Sequence, residues 1–320
     1  ALMVLLVKSD FTISYVAGHT SRTLPLVYKI TALWAGASGS LLFWLWLQVF
    51  IAALVFHSSH GAKAVFSANA RAVINLVSVF FLLVLILDKN PFASSVMAPA
   101  DGAGLNPLLQ HPAMVLHPPA LFVGYAALIV PFAWAFASLK DFSPEGQTSL
   151  FAIGHRWLLG AWLFLTIGIG LGAWWAYEEL GWGGYWAWDP VENSSLMPWL
   201  TATALLHCGR TYRKNSATAS WYAVLSLGTF SLCVFGTFLT RYGLVSSVHA
   251  FPEPGLGILF LVLLIHIWAL AGLFWIRKWI KTKGQERASA SVGQRFIVWN
   301  NWLMVGLVVV IFIGTLFPFF

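Results

Sequence analysis

Two kinds of side chain in this sequence can do chemistry, and they fall near one another. From residue 174 to 193 the chain reads Trp-Trp-Ala-Tyr-Glu-Glu-Leu-Gly-Trp-Gly-Gly-Tyr-Trp-Ala-Trp-Asp-Pro-Val-Glu-Asn. Indole has an apolar face that stacks and an N–H that donates, so Trp182, Trp186 and Trp188, set around Gly183 and Gly184, suit a large planar ligand at a membrane surface. An interfacial aromatic belt is the other reading. A belt is spread over all helix ends, whereas six of the eighteen tryptophans here fall within 174–199.

The second kind is imidazole. His117 precedes Pro118-Pro119, a pair that stiffens the approach to a helix, and His249 precedes Pro252 between two apolar runs. Imidazole is a common axial ligand of haem iron, and two can clamp the ring from both faces. Arg241 is available for a propionate. Zinc is a poorer fit, because no further His, Cys or carboxylate stands at ligand spacing. His207 lies about 27 Å along a helix from Asp189 and cannot share that ring. It is either the ligand of a second haem or an interfacial histidine near Arg210, and the residues leave both open. His266, in the middle of an apolar run, is a further candidate. For His19, His57, His60, His111 and His155, all in connections, solvation is the expectation.

These groups have to be positioned by membrane helices. Of the 320 residues 59% are hydrophobic and 9% charged, and the mean hydropathy is +0.78, values that belong to a polytopic membrane protein. Runs long enough to cross, about 20 residues each, lie near 31–56, 71–87, 114–139, 157–177, 190–209, 220–240, 255–276 and 297–317. The expected fold is all-α: one transmembrane helix bundle over 1–320 with an extracytoplasmic tryptophan-rich loop. The chain opens in an apolar run without an initiator Met or a charged leader, which reads as part of a longer protein. Asp189-Pro190-Val191-Glu192 starts the fifth run as N-cap, first-turn proline and capping-box carboxylate, so capping is the simplest role of Asp189 and Glu192.

Thirteen of the eighteen Lys and Arg residues fall on one side of the bundle, which is therefore cytoplasmic. The formal net charge of +7 is then a topology signal and not a nucleic-acid footprint, and the tryptophan-rich loop, His117 and His249 face away from the cytoplasm. Cys208 and Cys233 lie in apolar runs and form no C-x-x-C pattern, which excludes a thiol oxidoreductase and a covalent haem carrier. All eleven carboxylates lie in loops or at helix ends, against an ion-coupled transporter. Neither a phosphate-binding glycine loop nor a nucleophile elbow occurs.

The run Trp182-Gly-Gly-Tyr-Trp-Ala-Trp-Asp-Pro-Val-Glu-Asn-Ser-Ser-Leu-Met-Pro-Trp199 resembles the signature of the tryptophan-rich haem-handling proteins of cytochrome c biogenesis. Its Asp-Pro-Val-Glu-Asn form is similar to the cytochrome c maturation protein F branch, the haem lyase of the multi-component bacterial pathway. Asp10-Phe-Thr-Ile-Ser-Tyr, Asn106-Pro-Leu-Leu-Gln, His117-Pro-Pro-Ala-Leu-Phe, Ser247-Val-His-Ala-Phe and Gly314-Thr-Leu-Phe-Pro extend the likeness along the chain.

The resemblance implies a bacterial inner-membrane protein of the holocytochrome c synthase type. It would take haem b from a haem chaperone and position it for thioether attachment to the C-x-x-C-H motif of apocytochrome c, which thiol-handling maturation proteins present. His117 and His249 match the extracytoplasmic haem ligands. His207 matches a ligand of a transmembrane b-type haem, whose second histidine has no match before Phe320. Trp182, Gly183, Gly184, Trp186, Trp188, Asp189 and Glu192 fall in the haem platform, and no residue is catalytic beyond positioning. A haem exporter without covalent transfer, or a b-haem electron-transfer subunit, would share parts of this inventory.

Overall fold

A computed structural model describes residues 1–57, 64–140, 144–181, 183–210, 217–242, 247, 254–283 and 290–317. Eleven α-helices occur among them: α1 Leu2–Lys8, α2 Ser14–His19, α3 Leu26–Thr31, α4 Ala37–His57, α5 Ala64–Leu87, α6 Pro112–Lys140, α7 Pro144–Glu179, α8 Pro190–Arg210, α9 Ala217–Tyr242, α10 Pro254–Thr282 and α11 Val292–Leu316. Two single 3-10 turns, Ala32–Trp34 and Pro107–Leu109, and one bridge between Ile13 and Ser94 complete the regular structure among the described residues. The protein is an all-α, polytopic membrane protein.

Seven of these helices are long and apolar enough to cross a bilayer: α4 to α7 and α9 to α11. The run near 190–209, expected as an eighth span, folds as α8 but is too polar to stand with the seven. Glu192, Asn193, Ser194, Ser195, Thr201 and Thr203 account for that polarity, and several of them bond within the fold. Ser194 and Ser195 hydroxyls donate to the carbonyls of Val191 and Glu192, and Asn193 Nδ2 donates to Thr315 Oγ1 at 3.0 Å.

The chain forms two compact units. The first comprises Ala1–Phe50, Val77–Ala126 and Phe164–Ala187, the second Ile51–Leu76, Ala127–Leu163 and Trp188–Phe320. In the first, the short helices close over an apolar core of Leu2, Leu6, Phe11, Tyr15, Val16, Leu24 and Leu105. The Tyr15 hydroxyl ties this core together: it donates to the Ala32 carbonyl at 2.9 Å and accepts from the Gly36 N–H. Below it Trp44 is fully buried against Phe81, Phe122 and Tyr125.

In the second unit α9 packs between α8 and α10, and α11 lies on α8. Close approach of α8 and α9 follows from Gly236, where a Cβ would meet Ser194 Oγ at 2.9 Å. Met197, Val308 and Ile311 form the apolar contact of α8 with α11, and Asn301 Nδ2 donates to Cys208 Sγ across the same pair at 2.9 Å. A capping box starts α11, Ser291 Oγ accepting from the Gln294 N–H and Gln294 Oε1 from the Ser291 N–H, so two of its otherwise orphaned donors are satisfied.

Candidate functional site

His117 lies inside a helix and not on the approach to one. α6 begins at Pro112, so Pro118 and Pro119 fall in its second turn. A proline there removes the N–H that would bond to the carbonyl four residues earlier. For Pro118 that carbonyl is Met114 O, and the Trp34 indole N–H takes up the vacancy at 3.3 Å. Trp34 thereby lets the helix run unbroken through the double proline.

The imidazole of His117 reaches α7, where its Nδ1–H donates to the Gly168 carbonyl at 2.7 Å. A proton on Nδ1 leaves the ring lone pair on Nε2, the arrangement by which a backbone carbonyl orients a metal-ligating histidine. The ring lies over Gly172, whose added Cβ would stand 2.5 Å from Cε1 and 2.8 Å from Nδ1. His117 is half-buried. Its tautomer and orientation suit an axial haem ligand.

One and a half turns earlier, His111 and Glu178 join the same two helices near the root of the tryptophan-rich segment. Solvation was the expectation for His111, yet it is only 6% exposed. Its Nδ1 accepts from the Ala113 N–H at 3.1 Å, and its Nε2 is 2.7 Å from Glu178 Oε2. The Trp174 ring stands edge-on to the imidazole at 5.3 Å. Trp175 is buried, its indole donating to Leu108 O at 2.8 Å. His19 and His155 likewise depart from solvation. His19 stacks on Tyr15 at 4.2 Å and packs on Gly36, and His155 stacks on Phe151 at 5.3 Å and packs on Gly209. In each case the ring buries its apolar face while a neighbouring glycine leaves room for it.

The tryptophan-rich segment leaves α7 through left-handed backbone at Gly181 (φ 63°) and Gly183 (φ 70°), conformations that glycine adopts without a Cβ penalty. Tyr185 stacks on Tyr177 of α7 at 4.5 Å. Gly183, Gly184 and Trp186 belong to the first unit, with Gly183 exposed and the other two half-buried. Trp188 belongs to the second unit and is 48% exposed, with φ 59°. A bulky residue is rarely found there, and such strain concentrates at functional positions. The Trp188 ring packs on α11, 3.2 Å from where a Gly314 Cβ would stand.

Asp189 caps α8: its Oδ1 accepts from the N–H groups of Val191 at 2.9 Å and Glu192 at 3.2 Å. Arg241 is buried in the last turn of α9. His207 is exposed on the last turn of α8, far along the helix from Asp189, while Cys208 beside it is buried. His266 is exposed on α10, its Nδ1–H donating to Val262 O at 2.7 Å. Trp199, in the tail of the motif, stacks on Trp162 at 5.9 Å. Trp182 and His249 lie outside the described residues. Among the described residues no group of three or more His, Cys, Asp or Glu could hold a bare metal ion.

Trp34, Gly168, Gly172, His111 and Glu178 were not among the residues singled out from the sequence. Gly168 and Gly172 carry one legible signal, the small-x-x-x-small spacing of helices in close contact. His111 carries none, since nothing local links it to a carboxylate 67 residues away.

Residues 34–245 match the family described as Cytochrome C assembly protein. The cytochrome c-type biogenesis protein CcmF of Haemophilus influenzae is 38% identical over 321 residues, covering 99% of this chain and 49% of its own. That of Pseudomonas aeruginosa is 41% identical over 315 residues, covering 97% and 47%. A solved structure described as cytochrome c heme lyase CcmF aligns with a TM-score of 0.78 at 29% identity, covering 99% of this chain and 47% of that one. The chain thus spans about half the length of the curated relatives it matches.

Proposed function

Because the chain belongs to the cytochrome c assembly protein family, we propose that it forms the haem-holding part of a cytochrome c haem lyase. The observation that carries this reading is the seating of His117, whose Nδ1–H is engaged by the Gly168 carbonyl, leaving the Nε2 lone pair to ligate iron. His249 supplies the second axial ligand. Trp182, Trp186 and Trp188 pack against or beside the ring, with Gly183 and Gly184 allowing close approach, and Asp189 and Glu192 fix the segment to its helix. Arg241 pairs with a propionate.

The substrate haem b brings two vinyl groups, and each adds one thiol of the acceptor's C-x-x-C-H motif: a C–S bond forms at one vinyl carbon and the thiol hydrogen goes to the other. No net oxidation is involved, and the protein needs to supply no nucleophile. Its residues act by orientation, ligating the iron, packing against the ring and leaving the vinyl edge open to a peptide. His207 would hold one side of a separate, transmembrane b-type haem, and such a group would supply electron-transfer chemistry there. The site faces the periplasmic side of the bacterial inner membrane. Haem arrives from a haem chaperone, and apocytochrome c arrives with thiol-handling maturation proteins.

Replacing His117 or His249 by Ala in the full-length protein is expected to abolish mature cytochrome c without affecting apocytochrome synthesis. Haem stain resistant to acid–acetone extraction is the readout. Persistence of covalent haem in the double variant would overturn the ligand assignment. Haem released by the wild type with no covalent product would favour an exporter.

A further inference from the structure

The carbonyls of a helix are ordinarily screened by side chains and engaged along the helix axis. Gly168 O is reached from outside because two glycines on the same face, Gly168 and Gly172, leave the backbone of α7 bare. At Gly168 an added Cβ would meet Leu121 of α6 at Cδ2 (2.6 Å), Cγ (2.8 Å) and the backbone nitrogen (3.1 Å), so the two helices are in backbone contact there. Leu121 is one turn beyond His117 on α6, and Gly172 is one turn beyond Gly168 on α7. The imidazole therefore enters the gap that the second glycine leaves. The carbonyl oxygen has two lone pairs, so it accepts the His117 Nδ1–H in addition to its place in the helix.

Any side chain at 172 would stand over the imidazole, 2.5 Å from Cε1, 2.8 Å from Nδ1 and 3.3 Å from Nε2. The ring cannot yield and keep its bond, because the bond and the steric wall come from the same turn of α7. Gly170, between the two, has nothing within 4 Å of its Cβ position and faces elsewhere. Glycine is demanded at 168 and 172 and not at 170.

We infer that Gly168 and Gly172 are positioning residues of the haem site: the Gly168 carbonyl fixes the His117 tautomer that directs Nε2 to iron, and the bare α-carbon of Gly172 sets the plane of the ring. This rests on the reading of His117 as an axial ligand. A hydrogen bond of this kind also raises the basicity of the ligating nitrogen, and removing such a partner typically costs about 10–100-fold in metal affinity.

The test uses full-length protein in lipid nanodiscs, labelled with 15N-histidine and read by solid-state NMR without haem, the His117 signal being identified by its loss in His117→Ala. The expected result is a protonated Nδ1 and an unprotonated Nε2. Gly172→Ala should abolish that pattern and weaken hemin affinity about 10–100-fold, with a shifted Soret band. Gly168→Ala should act in the same direction, and Gly170→Ala should leave both readouts at wild type. An Nε2–H tautomer in the wild type, or wild-type hemin affinity in Gly172→Ala, would overturn the inference. Should Gly172→Ala fail to fold, the wild-type tautomer still decides. Wild-type hemin binding by His117→Ala is a different failure, since it removes the ligand assignment on which the inference rests.

Discussion

His111 donates to Glu178 from Nε2 at 2.7 Å while its Nδ1 accepts the Ala113 N–H, so its tautomer is set by a helix start. One side chain thus caps α6 and ties it to the last turn of α7. The helix it caps carries His117, and the helix it holds leads into the tryptophan-rich segment.

Replacing His111 by Ala is expected to lower stability by about 1 kcal/mol, the usual cost of a lost N-cap. Thermal unfolding in detergent measures this. Hydrogen exchange should rise at Ala113 and in the first turn of α6, where the capped N–H loses its acceptor, and Glu178→Gln should disturb that turn less than His111→Ala. Unchanged exchange at Ala113 would remove the capping role.

The stability of the α2 region should depend on pH through His19. Burial against Tyr15 and Gly36 pulls its pKa below the ordinary 6.5, the hydrogen bond to the Tyr15 carbonyl opposing in part. With the folded value depressed, the unfolded chain takes up the proton first as pH falls. The contribution is therefore fully present above about pH 6.5 and is lost as pH falls through the lower, folded value. Amide protection factors over residues 14–36, taken relative to the intrinsic exchange rate at each pH, should fall on acidification across this window. In His19→Gln that fall should be absent.

Trp188 is held against α11 by the absence of a side chain at 314. Gly314→Ala asks the indole to give by a few tenths of an ångström, since the nearest ring atom is 3.2 Å from the Cβ position, and hemin affinity should be nearly unchanged. Gly314→Leu dislodges the ring and should weaken hemin binding about tenfold, equivalent to ~1.4 kcal/mol. Equal affinities for the two variants would show that Trp188 does not serve the haem site.

Composition alone determined the membrane class and the all-helical fold, because a backbone in lipid must satisfy its own hydrogen bonds and a helix does so within one segment. The start of α8 was equally legible: Asp189, Pro190 and Glu192 act within a few residues of each other, and a cap is a local bond. The motifs around Trp182 and His117 pointed to the family through their order along the chain. What only the tertiary structure decided is which ring rests on which helix. His117 meets a carbonyl 51 residues away and His111 a carboxylate 67 residues away, while His19 and His155, expected in solvent, stack on a ring one turn earlier and pack against glycines distant in sequence, Gly36 and Gly209. The double proline after His117 reads locally as a break before a helix, yet the Trp34 indole satisfies the carbonyl that Pro118 leaves open and the helix continues. Trp175 and Trp199 belong to the tryptophan-rich stretch by sequence and to the packing by structure. Periodicity and capping are fixed by neighbours in the chain, whereas the seat of His117 depends on two glycines letting α6 and α7 touch, a property of the packed pair and of neither helix alone.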